Sequence, residues 1–100
     1  MTRLEKNERI YRYEVPVDDQ WHTFQLSGNP LAVNCRHMTT VEFWTRSDNV
    51  DPGLERSFIV VGTGHPIPAE THYWGTAVAP GGMLVWHLLE RLGEGISHDV

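Results

Sequence analysis

The sequence predicts an all-β domain, a small and mostly antiparallel sandwich or flattened barrel of about seven strands. Three observations carry this expectation. β-Branched and aromatic residues fall in short runs with period-two alternation. Clusters of Pro, Gly, Asn, Asp and Ser separate these runs at 16–20, 27–30, 47–55, 64–70 and 80–82. At the centre, RSFIVVGTGHP (56–66) and GGMLVWHLLE (81–90) each join an apolar strand-like segment to a glycine turn.

The elements follow in order. Residues 1–9 (MTRLEKNER) are mostly charged and polar, and are expected to be mobile. IYRYEV (10–15) is the first predicted strand, with Tyr11, Tyr13 and Val15 on one face, and Pro16 ends it. WHTFQL (21–26) follows, its apolar face carrying His22, Phe24 and Leu26, and the SGNP turn closes it. LAVNCRHM (31–38) and TVEFWTR (40–46) have almost no turn signal between them, and the alternation changes phase near Met38 and Thr39. A bulge or tight bend there accounts for the change.

After the loop at 47–55, RSFIVVG is apolar on both faces from Phe58 to Val61, as expected for a strand covered on both sides. THYWGTAVA (71–79) alternates Tyr73, Gly75 and Ala77 against Trp74, Thr76 and Val78, and Gly75 leaves room for a close neighbour. MLVWHLLE (83–90) is the last strand; a helix of about two turns between glycines would be marginal. Phe58 and Trp86 are the expected core aromatics. Residues 91–100 hold little apolar surface and are expected to fray, leaving 10–90 as the single domain.

Composition narrows the class. A chain of 100 residues has room for one core, and 40% apolar residues with four Trp suffice to build it. The net charge of −5 opposes duplex nucleic acid unless basic residues segregate. The single cysteine, Cys35, forms no internal disulfide, and no apolar run has the length of a signal h-region or membrane span, so a soluble intracellular protein is expected.

The order IYRYEV, FIVVGTGHPI, YWGT and GGMLVWHLLE resembles a family of small, mostly uncharacterised proteins of bacteriophages and prophages. GTGHPI and GGxLVWHxxE are its most specific parts, and the match spans about 10–90. The resemblance implies phage or prophage origin, a compact β domain and action in the host cytoplasm. It implies no catalytic residue.

A net-acidic chain must concentrate its few donors to hold an anion, which singles out Thr63, Gly64 and His65, supplemented by Arg56 from the start of the same strand and Arg46 from a neighbouring one. Glycine lets successive N–H groups converge beside a ring that can become cationic near neutral pH. The segment lacks the P-loop lysine, and no helix follows it. The competing reading is a shaped turn in which His65 satisfies a neighbouring carbonyl. Trp44 and Trp74 are the aromatic residues expected at the surface, where they would stack on a planar ligand or meet another chain.

The remaining chemistry is sparse. His22, His37, His65, His72, His87 and His98 show no zinc spacing; Cys35 and His37 would share a strand face as an incomplete ligand pair, so no metal and no cofactor is expected. His87 lies in an apolar run, where a hydrogen-bonded core or interface histidine is the commoner role. Cys35 and Ser57 lack a nucleophile signature, and Glu14, Glu42, Glu70 and Glu90 have no distinguishing spacing, so no catalytic residue is assigned.

The expected function is a non-enzymatic phage-type binder, a homo-oligomer that captures either a host protein or a small nucleotide immune signal in an anti-defence role. A structural or assembly accessory of the virion and a small hydrolase are the alternatives. The family resemblance favours the first.

Overall fold

The computed structural model describes residues 8–48 and 53–93. Seven strands run through them: β1 (Glu8–Pro16), β2 (His22–Leu26), β3 (Pro30–His37), β4 (Thr40–Asp48), β5 (Leu54–Gly62), β6 (Thr71–Val78) and β7 (Val85–Arg91). They form two antiparallel sheets, three-stranded β1-β4-β3 and four-stranded β2-β5-β7-β6. The architecture is a sandwich, not a closed barrel. β1 begins at Glu8, and Arg91 ends β7; the rest of the expected mobile ends, 1–7 and 94–100, lies outside the described residues, as does the loop segment 49–52.

Period-two alternation sorts each strand between core and solvent. Val41 and Phe43 on β4, Phe58 and Val60 on β5, Leu26 on β2 and Leu88 on β7 are buried between the sheets. Phe43 and Phe58 meet at a ring-centroid distance of 4.8 Å, and Tyr13 stacks on Phe43 at 5.2 Å. The first contact bridges the two layers, the second lies within the three-stranded sheet, and each adds stabilisation beyond its buried area. Phe58 is fully buried as expected. Trp86 is only half-buried: it flanks the core, with its Nε1 shielded from water and without a hydrogen-bond partner among the described residues.

A second cluster lies on the outer face of the four-stranded sheet, where Ile59, Val61 and Leu89 are buried against Trp21. The guanidinium of Arg91 stands 4.5 Å over the Trp21 ring. β5 is thus covered on both faces, as its unbroken apolar run predicts.

Two irregularities decide which residues face where. Between Met38 and Thr39 the chain makes the tight turn that joins β3 to β4, with His37 paired to Thr40. In β6 the register shifts between Tyr73 and Gly75, a bulge at Trp74. The bulge corrects the alternation expected from sequence. Tyr73 stays on the outer face opposite Leu89, but Gly75 and Ala77 turn to the core, and Trp74 joins them. Gly75 does accommodate a close neighbour: a Cβ there would lie 2.7 Å from Cγ2 of Val33 on β3.

Candidate functional site

The ladder of β5 ends at Gly62, and the chain turns at once. The His65 N–H donates to the Gly62 carbonyl at 3.1 Å, while the Thr63 N–H donates to the Val85 carbonyl at 3.2 Å. Gly64 takes φ of 89°, a conformation that costs an L-residue with a side chain. Pro66 and Pro68 then exclude ladder bonds. The far end of the loop is tied down by Thr71 Oγ1 donating to the Pro68 carbonyl at 3.2 Å and by the Leu92 N–H donating to the Glu70 carbonyl at 2.9 Å.

Between this loop and the outer face of the sheet lies a pocket of about 230 Å³. Val61, Leu89 and Ile67 supply its apolar surface, and Thr63, Gly64, His65, Tyr73 and His87 line the rest, with Thr63 and His87 in direct contact. Gly62 also lines it and lets two rings approach the backbone, since a Cβ there would stand 3.1 Å from the Trp86 ring and 3.2 Å from that of His65. Among the described residues no Lys or Arg lines it.

His87 organises the polar part. Its Nε2 lies 2.8 Å from Thr63 Oγ1, and its Nδ1 lies 3.2 Å from both Tyr73 Oη and Thr76 Oγ1, which also bond to each other. The Thr63 hydroxyl is within 3.4 Å of the Val85 carbonyl. A neutral imidazole with its proton on Nε2 satisfies the set: Thr63 donates to Val85 and accepts from Nε2–H, and a hydroxyl of Tyr73 or Thr76 donates to Nδ1. The network links the turn after β5 to β6 and β7. Tyr73 and His87 stand 5.9 Å apart between ring centroids at a tilt of 40°.

The structure brings Thr63, Gly64 and His65 to one pocket and places the other sequence candidates elsewhere. Arg56 has the parity of Phe58 and points to the core side of β5. There its Nε and Nη2 donate to the Glu90 carboxylate at 2.7 and 3.0 Å, its Nη1 to the Gly28 carbonyl at 2.7 Å and its Nη2 to Asn29 Oδ1 at 3.0 Å. It is a buried structural cation on the opposite face of the sheet. Trp74 likewise faces the core, with its Nε1 donating to Glu90 at 2.9 Å and its ring tilted 4.2 Å from that of His72. Arg46 and Trp44 belong to the outer face of the other sheet, where Arg46 pairs with Glu8 at 2.9 Å and Trp44 is half-buried. Tyr73 and His87 instead complete the pocket.

The remaining reactive groups are held in structural contacts. Cys35 is buried with its Sγ near the carbonyls of His37 and Thr40, and burial raises the thiol pKa. Ser57 bonds the Thr23 hydroxyl at 2.7 Å across β2 and β5. Among the described residues no three His, Cys, Asp or Glu side chains are grouped to hold a metal. Glu42, on the outer face of the three-stranded sheet, accepts from Arg36 at 2.6 and 2.8 Å, Asn34 at 3.1 Å and Arg12 at 3.1 Å. The Arg36 bond above all holds the Glu42 pKa down to about 2, although burial opposes this.

No curated protein and no solved structure matches the chain. A family model does, over residues 6–97, which takes in all seven strands and the pocket. By that match the chain belongs to the family of the domain of unknown function DUF7352.

Proposed function

We propose that the protein is a non-enzymatic binder that holds a small nucleotide-type ligand in the pocket beneath the 63–70 loop. The observation that carries this is the convergence of Thr63, His65, Tyr73 and His87 around one apolar floor. Apolar surface with a few converging polar groups is the usual make-up of a small-molecule site. The volume suits a planar heterocycle, which can lie against the Tyr73 and His87 rings while the Gly64 N–H reaches its polar edge or an attached phosphate. Since among the described residues no guanidinium or ammonium lines the pocket, the ring contributes more to binding than the charge does.

The resemblance to phage proteins adds a setting. There, the ligand is a nucleotide immune signal of the host, and sequestering it blocks an antiviral response. Capture of a host protein remains the competing reading.

Thermal-shift screening of nucleosides and of linear and cyclic nucleotides tests the proposal. A shift with wild type that shrinks in Tyr73→Ala and His65→Ala is expected. Equal shifts in all three proteins would move the site elsewhere, and no shift with any nucleotide would favour a protein partner.

A further inference from the structure

A sandwich of two open sheets has four edge strands, and exposed edges recruit other strands unless something blunts them. Three edges here are blunted. β2 has 5 residues. β3 starts at Pro30 and has register shifts at Pro30/Ala32 and Asn34/His37. β6 is bent by its shift between Tyr73 and Gly75.

β1 is different. Its 9 residues pair with β4 in unbroken register from Glu8↔Asp48 to Pro16↔Thr40, and among the described residues no strand pairs with its other side. The direction of its backbone groups follows from one bond. Val17 N–H donates to the Thr39 carbonyl at 2.9 Å, which continues the same register as a hydrogen-bonded pair. Hydrogen-bonded pairs alternate along an antiparallel ladder, so Tyr13 and Val15 point their backbone groups at β4. Those of Ile10, Arg12 and Glu14 therefore point to the open side.

Arg12 and Glu14 pair with each other at 2.6 Å within the chain and stay about half exposed, so the edge carries both charges in a form that two copies can exchange. We propose that β1 is a self-association edge, pairing antiparallel with β1 of a second copy so that Arg12 faces Glu14 of that copy and Glu14 faces its Arg12. Direct cross-strand opposite charges stabilise such a pair, and the same register sets Ile10, 57% exposed, against Pro16 of the second copy. Because the contact is isologous it closes at two copies, and the two three-stranded sheets become one six-stranded sheet. This inference does not depend on the pocket.

Sedimentation velocity on the full chain tests it. Wild type is expected to run as a dimer that loosens with salt. Arg12→Glu and Glu14→Arg each set like charges opposite one another and are expected to run as monomers, whereas an equimolar mixture of the two restores complementary pairs and the dimer. Ile10→Pro removes an outward N–H without taking a bond from the β1–β4 ladder, and is expected to be folded by circular dichroism yet monomeric. Arg12 also contacts Glu42 at 3.1 Å, so if Arg12→Glu fails to fold, Glu14→Arg and Ile10→Pro carry the test. A monomeric wild type at all concentrations, or a dimer that survives Ile10→Pro and Glu14→Arg, would overturn the proposal.

Discussion

Arg56 and Glu90 form a two-pronged ion pair inside the sandwich, with side chains 7% and 0% exposed and N–O distances of 2.7 and 3.0 Å. Removing one partner strands the other charge where water cannot reach it. Arg56→Met is therefore expected to cost about 3–5 kcal/mol in urea unfolding. The double variant Arg56→Met/Glu90→Leu should recover much of that loss, because no lone charge is left behind; equal losses in single and double variants would contradict this account.

Glu42 makes stability depend on acid. Its folded pKa of about 2 lies below the ordinary value of 4.5, so its contribution is complete above about 4.5 and disappears as the pH falls through about 2. Because Arg12 and Arg36 are partly exposed and screened by water, the expected loss is about 1–3 kcal/mol. Urea unfolding of wild type and Glu42→Gln between pH 6 and pH 2, about the span the linkage covers, checks it. The difference between the two proteins should narrow as the pH drops.

Gly75 and Val33 are in close contact across the two sheets, and the packing leaves no space for a methyl group between them. Gly75→Ala is expected to cost about 1–3 kcal/mol by pushing β3 away from β6. Val33→Ala in the same chain should relieve part of this cost. Additive losses in the double variant would show that the contact is not the cause.

Gly64 acts through its backbone and not through crowding. A Cβ there would meet nothing within 4 Å, so the penalty for a side chain comes from the positive φ. Gly64→Ala is expected to destabilise by about 1–2 kcal/mol, with Gly64→Val worse. His65→Ala should leave folding nearly unchanged and weaken a bound nucleoside or nucleotide by about 1–3 kcal/mol, read by calorimetry. Unfolding of His65→Ala would instead mark the loop as a structural turn.

All seven strands were legible because alternation and turn chemistry are local properties. Their faces were less so where one extra residue changes the phase: nothing in THYWGTAV marks Trp74 as the bulge, and only pairing with β7 reveals it. Arg56 shared parity with Phe58, a sign that it points inward, but a strand apolar on both faces hides which side holds the core. Tyr73 and His87 escaped the candidate site for another reason. Their approach to Thr63 depends on the register of β6 and β7 against β5, a relation between distant segments that no single stretch carries.

The strand order interleaves the sheets, and this has a kinetic consequence. β1 waits for β4 and β2 for β5, while the Arg56 guanidinium draws together Gly28 and Glu90 from opposite parts of the chain. During synthesis the first two strands emerge before any partner exists, and the four-stranded sheet cannot close until β7 has been made. Non-local pairing of this kind slows folding towards milliseconds to seconds. In that interval the open edge of β1 is exposed before its own sheet is complete, so the same strand that would join two finished copies is where nascent chains are most prone to pair too early.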